Sequence, residues 1–231
     1  MKNLYVTLII AACLSSCVTT TIPQLVIPES RTQFDGGIGW NNVGGQVNMQ
    51  GTFFSHLVLG GAATWNFGPG PVRYAEARLG TVLPRHADML TLAYGKGKCD
   101  LFLSFPAGGP DSDNMPDNYY ADFHKLALAW NHEFKREKWS WGTLLNLAHY
   151  WGQEMFTFNH YGGHRDRPFQ GPFRAEALVY FRLGQKRNLN VALGLTAGSK
   201  MRDQLNTDVP VFTTTPMFIG LGYAFSVKGK S

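Results

Sequence analysis

The stretch 188–197, NLNVALGLTA, alternates strictly between large aliphatic residues and small or polar ones. Leucine or valine occupies positions 189, 191, 193 and 195, and asparagine, alanine, glycine or threonine occupies the positions between them. Successive side chains of a strand point to opposite faces, so a period of two predicts a β-strand with one apolar face. The same alternation runs through Phe173–Leu183, Lys125–Phe134 and Met217–Phe225, although His132 interrupts the apolar face of the second.

Weaker alternation elsewhere brings the predicted total to about ten strands, and no segment predicts a helix. Most runs are 9–11 residues long, the length that a tilted strand needs to cross a bilayer. The sequence therefore predicts an all-β fold, an antiparallel up-and-down β-barrel. The pair Asn41-Asn42 must form a turn for the count to reach ten. One bent strand over 33–53 gives nine, and eight is possible if the first segment lies outside the wall and another pair of strands merges. The weaker strands are 33–41, 43–53, 57–66, 73–83, 88–98 and 139–149.

The connections between these strands differ in length in a regular way. Short ones, at 54–56, 84–87, 135–138 and 184–187, follow even-numbered strands, whereas long ones, at 99–121, 150–172 and 199–214, follow odd-numbered strands. Odd and even connections lie at opposite ends of a meander, so every long connection falls at one end. Short turns at one end and long loops at the other are typical of outer-membrane barrels.

The residues opposite the aliphatic face are charged or very small. A water-facing surface normally carries about 25–35% charged residues and bulky polar ones throughout. We therefore expect this face to line the lumen, where charges must be paired. A salt-bridge network that fills the barrel is the favoured interpretation, and a polar path or gate for small solutes is the alternative. The predicted network comprises Glu76, Arg78, Lys125, Glu133, Arg174, Glu176 and Arg182.

The aliphatic face is then expected to point outward, with aromatic residues near the strand ends, as in the interfacial girdles of membrane barrels. Candidates are Trp65, Trp139, Trp141, Tyr223 and Phe225. The opposite arrangement, an apolar interior in a soluble barrel that binds an apolar ligand in the periplasm, stays open as an alternative.

The N-terminal segment has the layout of a secretory signal peptide. Lys2 precedes the apolar run Leu4–Leu14, and Ser15-Ser16 leads into Cys17. The run Leu14–Cys17 resembles the lipobox of bacterial lipoproteins, which implies cleavage before Cys17 and a covalent diacylglycerol and fatty acid on that residue. Cys13 also fits a lipobox but leaves too short an apolar region. The expected organisation is a signal peptide at 1–16, a lipidated Cys and flexible tether at 17–32, and a barrel domain at 33–227.

Taken together, the chain resembles small bacterial outer-membrane β-barrel proteins of the lipoprotein type. The closing strand, Pro216–Phe225, is similar to the aromatic-ended last strand of that class, although Ser226–Ser231 follow it. No Asp follows Cys17, so the resemblance implies the outer membrane, with the N-terminus in the periplasm. It also implies outer-membrane lipid, the lipoprotein export machinery and the barrel-insertion machinery as partners.

Other site types find little support. The net charge of +5 is small and no Lys/Arg-rich run occurs, so no nucleic-acid partner is expected. Cys99 would have no disulfide partner after cleavage at Cys17, and zinc spacing is absent. The acidic segment 111–117 lacks the Gly and bidentate Glu of a calcium loop, so neither a metal nor any cofactor besides the lipid on Cys17 is expected.

Catalysis is not expected either. Histidine and aspartate near the rim could perform acid–base chemistry, but the spacing of known rim enzymes is missing. A rim-active enzyme is the least favoured alternative to a structural or binding role through the long external loops. Its candidate residues are His149, His160, His164, Asp166 and Asp113, and Arg165, Arg167 and Phe169 suit partner recognition instead.

Overall fold

Ten strands form one closed antiparallel barrel in the computed structural model, which describes residues 30–41, 44–65, 72–83, 87–102, 118–158, 163–184, 188–198 and 217–228. Each strand pairs with its neighbours in the sequence, and the first pairs with the last. The predicted all-β, up-and-down barrel of ten strands is confirmed. No helix in these ranges is long and apolar enough to cross a membrane. The strands are β1 Gln33–Asn41, β2 Gly45–Phe53, β3 Leu57–Trp65, β4 Val72–Val82, β5 Asp88–Phe102, β6 Asn118–Lys135, β7 Trp139–Phe158, β8 Gly163–Leu183, β9 Leu189–Gly198 and β10 Met217–Lys228.

The two ends of the barrel differ, as the spacing predicts. The turn end holds the connections 54–56, 83–87, 136–138 and 184–188, and the register of Gln33 with Lys228 brings both ends of the wall there. The loop end holds the two longest connections, 103–117 and 199–216, which lie outside the described residues, as do the predicted signal peptide and Cys17.

The predicted long loop over 150–172 is wrong. β7 continues to Phe158, β8 begins at Gly163, and the two strands pair from Trp151–Gln170 to Phe158–Gly163. Only 159–162 connects them. The loop end therefore carries a long hairpin, residues 150–158 and 163–172, which we call the projecting hairpin.

Two prolines explain this error. Pro168 and Pro172 suggest a loop because proline cannot donate a ladder hydrogen bond, and it is confined to sheet edges and bulges. In the described register, β8 pairs with β9 only from Arg174 onward. The register between β7 and β8 also shifts between His149 and Trp151, beside Gly171-Pro172. The prolines thus lie at an edge and a bulge, where a strand tolerates them.

Glycines make room for large rings inside the wall. Gly97 lies directly opposite Phe123 in the β5–β6 ladder, and a Cβ atom on Gly97 would overlap the Phe123 ring. Gly142 and Tyr180 form the same kind of pair between β7 and β8. Each ring lies over the bare backbone of its partner strand, which lets bulky side chains fit within a narrow barrel.

We expect Gly97→Ala to lower the free energy of unfolding by about 1–3 kcal/mol, because the new methyl group overpacks the Phe123 ring. In a Phe123→Leu background the same substitution should cost less, since the smaller side chain leaves room. Chemical unfolding followed by tryptophan fluorescence measures both. Additive costs of the two substitutions would contradict the proposed packing.

Candidate functional site in the barrel interior

All seven residues of the predicted lumen network are buried. Two further carboxylates, Asp35 and Glu154, are buried as well, so the described interior holds five carboxylates and four cations. These nearly balanced charges lie on β1, β4, β6, β7 and β8, on the face opposite the large aliphatic residues. The buried charged residues are Asp35, Glu76, Arg78, Lys125, Glu133, Glu154, Arg174, Glu176 and Arg182.

One group of these charges lies near the turn end. The Arg182 guanidinium donates to a Glu133 carboxylate oxygen at 2.9 Å, and the Ser140 hydroxyl donates to the same oxygen at 2.7 Å. The guanidinium also lies 4.8 Å from the centre of the Tyr180 ring, and the Tyr180 hydroxyl donates to Asn131 at 3.0 Å. We call this group the turn-end cluster; its ion pair is buried and its charge-assisted hydrogen bonds are strong.

A second group, centred on Glu176, lies further toward the loop end. Its carboxylate accepts from the Asn146 amide at 2.6 Å and from the Tyr150 hydroxyl at 3.2 Å, and Lys125 Nζ lies 3.8 Å away. The Lys125 ammonium lies 5.8 Å from the ring centres of both Tyr74 and Tyr150. Aromatic faces attract a cation at this range, so the rings stabilise a fully buried lysine.

Glu76 extends this second group, which we call the loop-end cluster. Its carboxylate accepts from the Tyr74 hydroxyl at 2.5 Å and forms an ion pair with Arg78. The Arg174 guanidinium lies 5.6 Å from the Tyr150 ring centre. Three rings pack together beside these charges, with Tyr74 stacked on Phe123 and Phe123 tilted against Tyr150. Side chains thus fill this part of the lumen.

Apolar side chains separate the two clusters. On β6 Ala129 lies between Lys125 and Glu133, and on β8 Leu178 lies between Glu176 and Arg182. These belong to one buried apolar cluster that extends from β3 to β9, so on β6 and β8 an apolar layer lies between two charged ones. Its members are Val58, Val82, Met89, Ala129, Leu144, Leu178, Tyr180 and Ala192.

The β1–β2 side of the interior is polar but carries little charge. Asp35 accepts from the Gln33 amide at 2.8 Å and from the Ser226 hydroxyl of β10. On β2 four buried amide or hydroxyl side chains follow at every second position. The sequence analysis did not predict this polar inner face of β1 and β2, although it is visible as a period-two run of Gln46, Asn48, Gln50 and Thr52.

The outer wall is apolar. Thirty-one large hydrophobic side chains of the described residues are exposed. Near the turn end Phe134 packs against Trp139 and Trp141, with ring centres 6.3 Å apart in both pairs. His132, which interrupts the apolar pattern, lies 3.0 Å from Asp88, and that carboxylate also accepts from Trp130. The polar groups of these three residues therefore satisfy one another.

A second aromatic belt crosses β5 to β8 toward the loop end. Its rings follow one another at centre distances of 5.0 to 6.3 Å, and the Tyr94 hydroxyl lies 2.7 Å from His124 Nδ1. Trp141 belongs to the aromatic group near the turn end, which is the first belt, and Trp151 belongs to the second. These two residues are ten positions apart on β7, which is about 25 Å along the barrel axis for a strand tilted near 40°. The second belt consists of Tyr94, His124, His149, Trp151 and Phe173.

The candidate catalytic residues are not brought together where the structure describes them. His149 stacks between Trp151 and Phe173 on the outer wall. The exposed Asp166 lies opposite Met155, six residues further along β7 and thus about 20 Å away. His164 is part of β8, and His160 and Asp113 lie outside the described residues. Within the described ranges no three His, Cys, Asp or Glu side chains are grouped to hold a metal ion.

We expect Arg182→Met to lower the free energy of unfolding by about 3–5 kcal/mol, since it leaves the buried Glu133 carboxylate without its cation. Adding Glu133→Gln should recover part of this loss. Lys96→Met removes a half-exposed cation that is 3.5 Å from Asp122, and it should cost less than about 1 kcal/mol. Denaturant unfolding of the three variants compares them, and equal losses for R182M and K96M would refute the structural role of the buried pair.

No protein-family model matches this chain, and no curated protein matches it in sequence. Its function must therefore be argued from the polarity and packing of the barrel.

Proposed function

We propose that this chain is an outer-membrane β-barrel protein with a structural or binding role, anchored additionally by lipid on Cys17. Its N-terminus lies on the periplasmic side and its loop end faces outward. One observation carries the proposal: the polarity of the barrel is reversed relative to a soluble protein, with paired charges inside and large hydrophobic side chains outside.

The apolar outer wall supports a lipid environment. Soluble monomers rarely expose a continuous apolar patch larger than a few hundred Å², whereas here every strand presents exposed hydrophobic residues or small ones on its outward face. The separation of about 25 Å between the aromatic belts equals the height of the apolar band in outer-membrane barrels. A closed barrel also leaves no unpaired strand edge in the wall, which a bilayer requires.

The interior argues against the soluble alternative. A barrel that carries an apolar ligand needs an apolar cavity. The described interior instead contains nine buried charged residues, and seven of them form the turn-end and loop-end clusters. Placing a hydrocarbon chain against these groups would break charge-assisted hydrogen bonds without replacing them. The interior is better suited to holding the wall in shape.

A filled interior also favours a structural or binding role over transport. The apolar layer around Leu144 and Leu178 lies between the two charged clusters, and large rings occupy the loop-end side. The surface available to a partner is then the loop end. There the projecting hairpin offers a platform of two paired strands, with exposed Gln153, Asp166 and Pro168 on its outward side.

The register supports the proposed orientation. Gln33 and Lys228 meet at the turn end, so the tether of residues 17–32 leaves from that end. Sixteen extended residues span at most about 55 Å, enough to reach the adjacent membrane surface. A lipid on Cys17 in the periplasmic leaflet therefore places the loop end at the opposite surface.

We expect the Cys17→Ser variant to remain in the membrane fraction and to require detergent for extraction, because the wall itself is embedded. It should also migrate as a compact form on unboiled gels and shift on boiling. A soluble periplasmic domain with the same lipoprotein signal and the same Cys→Ser change serves as the control and should be released. Release of Cys17→Ser in soluble form would refute the membrane barrel and favour the periplasmic alternative.

A further inference from the structure

We infer that the apolar segment 22–28 of the tether docks on the exposed Phe54 ring at the β2–β3 turn and so holds the lipid anchor to one side of the barrel. The inference deepens the proposed function and rests on it, because it assigns a binding site on the barrel to the tether that carries Cys17. Its basis is a strained turn that presents an aromatic ring beside the point where the tether reaches the wall.

The end of the tether is bonded to the β2–β3 turn. The Ser55 N–H donates to the Arg31 carbonyl at 2.9 Å, and the Ser30 hydroxyl donates to the Thr32 carbonyl at 2.7 Å. The first bond joins the backbone just before β1 to the turn, and the second lies within the tether itself. Residues 30–32 therefore follow a defined course past the turn.

The conformation of this turn disfavours a phenylalanine. The φ angle is +54° at Phe54 and +66° at Ser55, in the left-handed region, where a residue with a Cβ atom is disfavoured and a bulky one is an outlier. Asn or Gly would form such a turn with less strain. Local conformation therefore does not explain the ring at position 54, and strained residues of this kind point to a functional contact.

Packing within the described part of the barrel does not explain Phe54 either. Its side chain is 82% exposed, the highest value among the large hydrophobic residues of the described ranges. The rings of Phe34 and Phe53 pack edge to face, with centres 5.8 Å apart, whereas no described ring contacts Phe54. Phe54 also lies beyond the last register pair of β2 with β3, Phe53 with Leu57. The ring is therefore left for a partner outside the wall.

The tether carries an apolar segment suited to such a ring. Residues 22–28 have the sequence IPQLVIP, with four large aliphatic side chains, no charge and a proline near each end. Flexible, solvated linkers are instead rich in glycine and serine or in charge. Prolines favour the extended polyproline conformation, which aromatic surfaces bind at low entropic cost. The composition of this segment thus favours docking on an aromatic side chain.

Chain connectivity selects this segment over other partners. Val26 precedes Arg31 by five residues, which span at most about 18 Å when extended, and Arg31 is itself bonded to the turn. A segment tethered this closely has an effective concentration in the millimolar range, which a separate protein does not reach. Membrane lipid is the competing occupant, but Phe54 lies past the last paired row of the wall.

Docking shortens the free part of the tether. Only residues 18–21 then separate Cys17 from the docked segment, and the chain from Cys17 to Ile22 spans at most about 18 Å. Without docking, the tether spans up to about 55 Å and could place the lipid anywhere around the barrel. With docking, the acyl chains on Cys17 stay near strands β1 to β3.

Photo-crosslinking of the full-length protein in isolated cell envelopes tests the contact. Benzoylphenylalanine in place of Phe54 keeps an aromatic ring and captures neighbouring C–H groups, and peptide mass spectrometry should find its adducts on residues 22–28. The matched control carries the same amino acid at the exposed Lys228, which lies directly opposite Gln33 and is therefore also near Arg31. It should give several times fewer adducts on this segment. Equal yields from both positions, no adduct, or adducts from position 54 mainly on lipid or on another protein would overturn the inference.

A substitution in the turn separates docking from stability. Phe54→Asn removes the ring and inserts a residue that tolerates positive φ, so the thermal unfolding midpoint should equal or exceed that of wild type. Its tether should nevertheless be cleaved several times faster by a non-specific protease in permeabilised envelopes. Phe173→Asn removes a ring that is 75% exposed at the loop end and should leave this cleavage unchanged.

Unchanged cleavage of the tether in Phe54→Asn, or equal acceleration in Phe173→Asn, would contradict docking. Both measurements apply equally to the Cys17→Ser variant, whether it is embedded or soluble. Release of Cys17→Ser in soluble form with the tether still captured at position 54 means that the membrane proposal alone fails. An embedded Cys17→Ser without this capture means that docking alone fails.

Discussion

The rest of the structure depends on the pairing of buried charges across the lumen. Glu133 of β6 bonds to Arg182 of β8, and Lys125 of β6 lies beside Glu176 of β8. Both contacts skip β7, so they join strands that are next-but-one neighbours on the inner surface of the wall. Two strand spacings on a flat sheet are about 10 Å, and inward curvature brings side chains of next-but-one strands closer together, which favours short ion pairs between them. The charges therefore stabilise the curvature that closes the barrel.

The same pairing fixes the register. A shift of one residue in any of these strands would turn its charged face outward and its aliphatic face inward. An unpaired buried charge costs several kcal/mol, so a slipped β8, with Arg174, Glu176 and Arg182 displaced together, is strongly disfavoured. Alternation of side chains thus determines the faces, and charge pairing disfavours slipped registers of the strands that carry the charges.

Size complementarity allows this interior to be filled. Strands β4 to β8 contribute the large inward side chains, including Tyr74, Phe123, Lys125, Tyr150 and Tyr180, all buried. Across the lumen, β9 and β10 present several small residues on the same face, namely Ala192, Gly194, Gly220, Gly222 and Ala224. The large side chains occupy the space that this thin wall leaves, so the abundant glycine of the composition has a packing role as well as a role in turns.

The alternation of the sequence was enough to predict the class, the strand number and the inward position of the seven charged residues. Asp35 and Glu154 were missed because the first precedes Gly36-Gly37, where the pattern is weak, and the second lies in the stretch interpreted as a loop. The turn at Phe54-Ser55 adopts positive φ at both residues without the usual Asn or Gly. Here the neighbouring strands impose the turn type, which local sequence could not reveal. The partners of each charge depend on three-dimensional closure, and a one-dimensional pattern contains no such information.

Closure itself depends on different interactions from curvature. β1 and β10 are joined along nine register pairs although almost the whole chain separates them, so forming this seam costs loop-closure entropy. On the inner face of this β1–β10 seam lie glycine and alanine residues, and the Ser226 hydroxyl donates to Asp35 near the turn end. On the outer face the Phe225 ring lies over Gly36. The seam is therefore stabilised by its backbone ladder and these local contacts, whereas the charged clusters lie on β4 to β8, with Arg182 close enough to Asp35 to attract its charge. Loss of a buried ion pair should loosen the curvature of the wall, whereas loss of Phe225 or Ser226 should act on the joining of its first and last strands.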